Sequence, residues 1–199
     1  MQKLRHLIAC EAARIVHDEM VRDYRVARDK ACQRLGVQQF NDVPDNQEIH
    51  TALIDYLKGF KTDTQLKQVQ AKRQEALTAM RFFKDFEPRL AGAVLDGTAA
   101  PETPVCLHVF VDASEEVMIH LLNQGIPFET QERRIKYSDQ RLDFCTVFSF
   151  VVNDIELEIY VLPVNALRQA PLSPITNKPT RRVDYQKLSK LVKEAALFN

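Results

Sequence analysis

From Arg89 to Asp112 the chain reads RLAGAVLDGTAAPETPVCLHVFVD, two apolar runs separated by Gly92 and a Gly97-Thr98 turn. The chain has five glycines, and placing two of them here lets the backbone adopt conformations that other residues resist. Leu90–Leu95 has the composition of a short strand. Val105–Val111 is the clearer strand, rich in β-branched and aromatic residues. A tight turn joining two strands commits this half of the chain to a sheet.

The sequence before this stretch is helical in pattern. Leu4, Leu7, Ile8, Ala12, Ile15 and Val16 recur at helix spacing, with a break expected near Arg22–Asp23 and a restart through Tyr24, Ala27, Ala31 and Leu35. Gly36 follows as a helix-ending residue, and Val37–Asn46 is a polar connector containing Pro44. Asn46 is the expected cap of a helix running to Phe60. Thr62 or Asp63 starts the next, which carries Leu66, Val69, Ala76, Leu77, Met80 and Phe83 and is closed by Pro88.

After Val111, the segment Asp112-Ala-Ser-Glu115 has capping-box spacing and opens a helix ended by Gly125. Strands are expected around 126–135, 144–152 and 155–162, with Asn153-Asp154 as the turn between the last two. Residues 168–182 hold Pro171, Pro174 and Pro179 and read as an extended surface segment before a final amphipathic helix. The order predicts an α+β fold: a helical N-terminal region, 1–87, then a small mixed sheet with flanking helices, 88–199.

A formal net charge of zero excludes a global field drawing the chain to nucleic acid or an anionic membrane. The N-terminus is too polar for a signal-peptide core, and no window is apolar enough to span a bilayer. The expectation is a cytoplasmic protein with no membrane partner. Cys10, Cys32, Cys106 and Cys145 form no CxxC pair and are expected to be small buried hydrophobes in a reducing compartment.

In register, 92–109 resembles the signature of the nucleotidyltransferase superfamily, the DNA polymerase β-like fold. That signature is Gly-Ser after a first strand, a turn of a dozen residues, then Asp-x-Asp on the next strand. Gly92 matches the glycine, Ala93 replaces the serine, and Gly97-Thr98-Ala99 matches a Gly-Thr-Ala turn seen in small members. Thr103 stands where a late serine falls, and the two aspartates map onto Pro104 and Cys106. The resemblance covers about half the chain, 88–162. The whole chain also resembles a group of bacterial proteins that share its helical N-terminus and its Leu-Arg-Gln-Ala-Pro-Leu-Ser-Pro segment.

The resemblance implies a nucleotidyltransferase-like fold without its chemistry. Nucleotidyl transfer needs carboxylates to seat divalent metal ions, and neither proline nor a thiol offers a hard oxygen ligand. No residue is therefore assigned a catalytic or metal-binding role, and magnesium enters only if other acids replace the lost pair. Glu102, Asp112, Glu156 and Glu158 are the candidates for such a relocated set. Asp154, Glu156 and Glu158 alternate on one strand face, and Glu156 or Glu158 could stand where active members carry a third carboxylate, or the strand could turn its acids to water. Asp112 is better read as a helix cap.

Around the turn, the candidate ligand-binding residues are Gly92, Gly97, Thr98, Thr103, His108 and Glu158. His108 shares strand parity with Pro104 and Cys106. In the proline-rich segment, Arg168, Arg181 and Arg182 could clamp phosphate or carboxylate groups, or Leu172 could pack on the core with the charges in water. The implied function is a pseudoenzyme binding a nucleotide, nucleic acid or protein partner. The alternatives are an active enzyme with relocated carboxylates, or a DNA- or RNA-binding regulator using the N-terminal helices. Those helices could equally form a bundle with a homodimer surface.

Overall fold

The structure, a computed structural model, describes residues 2–21, 23–37, 43–60 and 63–196. It has the expected α+β class, with helices first and a six-stranded mixed sheet after them. Two compact units divide the chain: Met1–Thr62 with Ser173–Lys178, and Asp63–Leu172 with Pro179–Asn199.

In the first unit, α1 (Gln2–Asp18) packs against both α2 (Tyr24–Arg34) and α3 (Asn46–Phe60). Alanines at 12, 13, 27 and 31 are fully buried and let the helices approach closely around Ile8, Ile15, Ile49 and Leu53. The break between α1 and α2 falls where expected. Met20 takes a left-handed φ of 56°, and Asp23 caps α2 by accepting from the Arg25 amide. Arg22, the middle of the 37–46 connector including Asp42, and Thr62 lie outside the described residues. The cap of α3 differs from expectation. Asp45 accepts from the Glu48 amide, and the Glu48 carboxylate accepts from the Asp45 amide, a reciprocal capping box displacing Asn46 from that role.

The second unit begins with α4 (Asp63–Phe82), which a 3-10 turn and left-handed Glu87 close ahead of Pro88. The sheet contains β1 (Arg89–Ala91), β2 (Val105–Phe110), β3 (Glu129–Lys136), β4 (Leu142–Val152), β5 (Ile155–Leu162) and β6 (Arg182–Val183). Its order is β3-β4-β5-β2-β1-β6, with β2 and β5 parallel and every other neighbouring pair antiparallel. Three further helices complete the unit: α5 (Ala93–Asp96), α6 (Ser114–Asn123) and α7 (Tyr185–Ala196).

Alternation along the strands assigns the two faces. Leu90, Val105, Leu107, Val109, Leu157, Ile159, Phe148 and Phe150 enter one core with Ala76, Met80, Phe83, Val117, Leu121 and Leu188 of α4, α6 and α7. Each of the larger of these side chains contributes roughly 1.5–3 kcal/mol by leaving water. The opposite face carries Cys106, His108, Glu158 and Tyr160, and its apolar part is a smaller cluster around Phe110, Tyr137, Cys145, Val147 and Leu162.

Several expectations need correction. The apolar run from Leu90 is a strand only to Ala91; Gly92 then breaks it, and Val94 and Leu95 are buried on the helical turn α5. The 168–182 segment is not extended throughout, because Leu172 bridges to Pro179 and Arg182 enters the sheet beside β1. Asp112 does not cap α6. That helix starts at Ser114 behind Ala113 without a side-chain cap, and the Asp112 carboxylate accepts from the Val164 amide at 3.1 Å. Cys10 is exposed, with its Sγ 3.5 Å from His6 Nε2, while Cys32 and Cys145 are buried. Among the described residues no helix is long and apolar enough to cross a membrane.

Candidate functional site

The β1–α5–β2 connection is held from outside by two consecutive cations of α4. Lys72, only 6% exposed, directs its ammonium to the carbonyls of Ala100 (2.9 Å), Pro101 (2.7 Å) and Thr103. Arg73 donates to the carbonyls of Val94 (3.0 Å) and Leu95 (2.9 Å), the C-terminal end of α5. Burial lowers the pKa of both cations, with nearby acids opposing the shift: Glu102 and Glu156 at Lys72, and Asp96 at Arg73, where Arg181 adds to the lowering. Thr103 closes the turn from within, its hydroxyl accepting from the Ala100 amide at 2.9 Å.

Gly92 and Gly97 bracket α5 with φ of 75° and 78°, a region that disfavours residues with a β-carbon. A β-carbon on Gly92 would sit 3.7 Å from that of Cys106, an ordinary contact. Conformation, not crowding, is what requires glycine there. The Thr98 amide donates to the Ala93 carbonyl, so its backbone serves the turn.

One row of register partners crosses the whole sheet on the face opposite the helices: Glu129, Ser149, Glu158, Cys106, Ala91 and Arg182. The next row sets Gln131, Val147, Tyr160, His108 and Arg89 side by side. Glu158 and Cys106 are therefore neighbours, with Gly92 beside Cys106. Tyr160 donates its hydroxyl to Glu158 Oε2 at 3.1 Å, and Arg133 approaches Oε1 at 3.4 Å. The Glu158 side chain is 16% exposed. Burial, followed by the charge of Glu158, pushes the Cys106 thiol pKa far up, so it is a neutral thiol at physiological pH. Burial and neighbouring Cys106 and Glu158 push Tyr160 up as well.

His108 is buried, with its ring 5.6 Å from that of Tyr160. Burial, reinforced by the Arg182 charge, lowers its pKa to about 3, which keeps the imidazole neutral. Arg182 lies against the Phe110 ring at 5.2 Å and donates Nη2 to the Ala166 and Leu167 carbonyls at 3.0 and 3.2 Å.

The sheet thus gathers Gly92, His108, Glu158 and Arg182 on or beside one face, while Gly97, Thr98 and Thr103 shape the adjoining loop. Arg168 is exposed past the 3-10 turn that ends at Leu167, and Arg181, 69% exposed, reaches Asp96 at 3.4 Å. A groove of about 520 Å³ lined by Arg81, Lys84, Arg89, Asp184 and Tyr185 includes none of these candidates. Sequence reasoning passed over Lys72, Arg73, Arg133, Tyr137 and Tyr160. Tyr160 had a usable signal, since period two places it with Glu158. Lys72 and Arg73 had none, because the chain in isolation shows them only as part of a cationic helix flank.

The donor set does not suit the metal that the nucleotidyltransferase resemblance brings with it. Hard divalent cations need several oxygen ligands, and beside the neutral Cys106 thiol this row offers only Glu158, already engaged by Tyr160 and Arg133, its other acid, Glu129, lying two strands further on. Among the described residues no group of three or more His, Cys, Asp or Glu side chains is placed to hold a metal ion. No protein-family model, curated protein or solved structure matches the chain.

Proposed function

We propose that this chain is a cytoplasmic pseudoenzyme of nucleotidyltransferase-like fold that binds a nucleotide at the β1–α5–β2 turn without transferring it. The observation that carries the reading is the alignment of Gly92, Cys106 and Glu158 on one sheet face. A positive-φ glycine follows β1 beside Cys106, the thiol stands where the resemblance would put a metal ligand, and the neighbouring strand sets Glu158 next to it. Lys72 and Arg73 fix that turn by its carbonyls, so a ligand meets a preformed loop.

Calorimetric titration with ATP, GTP and a short RNA, each with and without magnesium, tests the reading. The expected result is nucleotide binding with little magnesium dependence, lost in Gly92→Val, and no nucleotidyl transfer. Failure of all three ligands would remove the nucleotide and nucleic-acid readings and leave a protein partner. Strict magnesium dependence would overturn the pseudoenzyme reading in favour of relocated carboxylates.

A further inference from the structure

On the Cys106 face, three buried polar atoms from separate elements have no hydrogen-bond partner: Arg182 Nη1, His108 Nδ1 and the Tyr137 hydroxyl. Their placement follows from the register. Arg182 starts level with Cys106, through Ala91, and its guanidinium ends 5.2 Å from the Phe110 ring, four residues further along β2. On the way it passes His108, which lies midway on the same face. Tyr137, fully buried, shares a cluster with Phe110 and Ala166, and Ala166 accepts from the same guanidinium.

At Arg182 the charge balance is one-sided. The hydrogen bonds of Arg182 go to the two carbonyls, which do not neutralise it, and its pKa is lowered by burial and then by Arg89. Arg141 stacks on the Tyr137 ring at 4.2 Å, with its own charge paired to Asp143 at 3.5 Å, so it leaves Arg182 as the uncompensated cation. A half-buried guanidinium without a counter-ion is costly, and the group that best offsets it is an anion accepting charge-assisted hydrogen bonds. The Tyr137 hydroxyl can donate to the same anion, and neutral His108 can do so through Nδ1–H in the appropriate tautomer.

We infer that Arg182, Tyr137 and His108 form an oxyanion subsite, receiving a phosphate or carboxylate group between β2 and the 3-10 turn at 164–167. The subsite lies away from Gly92 and does not depend on the nucleotide reading. A chain that ignores ATP yet binds a simple oxyanion here would separate the two.

The test is calorimetry of the full chain with inorganic phosphate and, separately, acetate, with the His108 imidazole resonances followed by NMR. Saturable binding of either ion with a shift of the His108 signals is expected. Response to phosphate alone assigns a phosphate group, and response to acetate alone a carboxylate. Arg182→Gln should weaken binding at least tenfold. Tyr137→Phe, which removes only the hydroxyl, should weaken it about fivefold. Should Arg182→Gln fail to fold, Tyr137→Phe decides. No saturable binding by the native chain, or equal binding by native chain and Tyr137→Phe, would overturn the inference; the three atoms would then be bridged by water.

Discussion

Cys106 and Glu158 are register partners on the parallel strands β2 and β5, facing the same side of the sheet. An uncharged thiol thus occupies the place where a second carboxylate would complete an oxygen-ligand pair. Cys106→Asp should therefore convert the row. Without metal, two adjacent acids in a dry setting repel, and the variant should lose about 2–3 kcal/mol. With millimolar manganese or magnesium the variant should regain stability, while the native chain does not respond. Thermal melts with and without metal read both effects; a metal-induced shift of the native chain equal to the variant's would refute the account.

Lys72 shows how strongly the candidate turn depends on one side chain. Its ammonium serves three carbonyls between Ala100 and Thr103. Lys72→Met keeps the aliphatic stem but leaves these acceptors without their charged donor. Charge-assisted hydrogen bonds contribute more than neutral ones, so a loss of about 3 kcal/mol is expected. Chemical denaturation measures it, and hydrogen exchange should show faster opening at the Thr103 amide than in the native chain. A variant within about 0.5 kcal/mol of the native chain would show that the turn stands without the lysine.

Much of this architecture was legible in the sequence because local periodicity and turn chemistry agree. The third helix and the fifth strand fall at the expected 46–60 and 155–162. The strand Arg182–Val183 was not legible. Two residues carry no period, and their strand character comes from pairing with β1 across the fold. Asp112 misled for a related reason: capping-box spacing is local, whereas its bond to the Val164 amide joins segments far apart in sequence. At the site, strand parity grouped His108 with Cys106, but the Tyr160–Glu158–Arg133 contacts and the stacking of registers required the strand order.

Burial of neutral His108 makes stability depend on pH. Its folded pKa of about 3 lies below the ordinary 6.5, so between those values the unfolded chain binds a proton that the folded chain does not. Stability is then full above about pH 6.5 and falls progressively as the pH drops toward 3. His108→Leu should flatten the profile. The comparison is cleanest at pH 5–6.5, above the range where Glu11, Asp18 and Glu48, all with lowered pKa, take up protons. Denaturant midpoints across that window should fall for the native chain and stay level in the variant. Parallel slopes would assign the dependence to other groups.

The turn between β4 and β5 offers a gain in stability. Asn153 and Asp154 have φ of 50° and 62°, the left-handed conformation at both central positions that suits a two-residue hairpin. Asparagine tolerates this region, and its amide also donates to Glu75 at 3.1 Å. Asp154 is exposed and has the less favourable side chain for such a φ. Asp154→Gly creates the preferred Asn-Gly pair, and relief of strain should outweigh the added freedom of the unfolded chain. The expected gain is about 0.5–1 kcal/mol, read as a higher denaturant midpoint with an unchanged slope. The neighbouring Asn153→Ala should do the opposite, because alanine lacks the polar side chain that eases a positive φ and cannot make the contact to Glu75. A destabilised Asp154→Gly would mean that the hairpin draws on the Asp154 carboxylate more than on its backbone geometry.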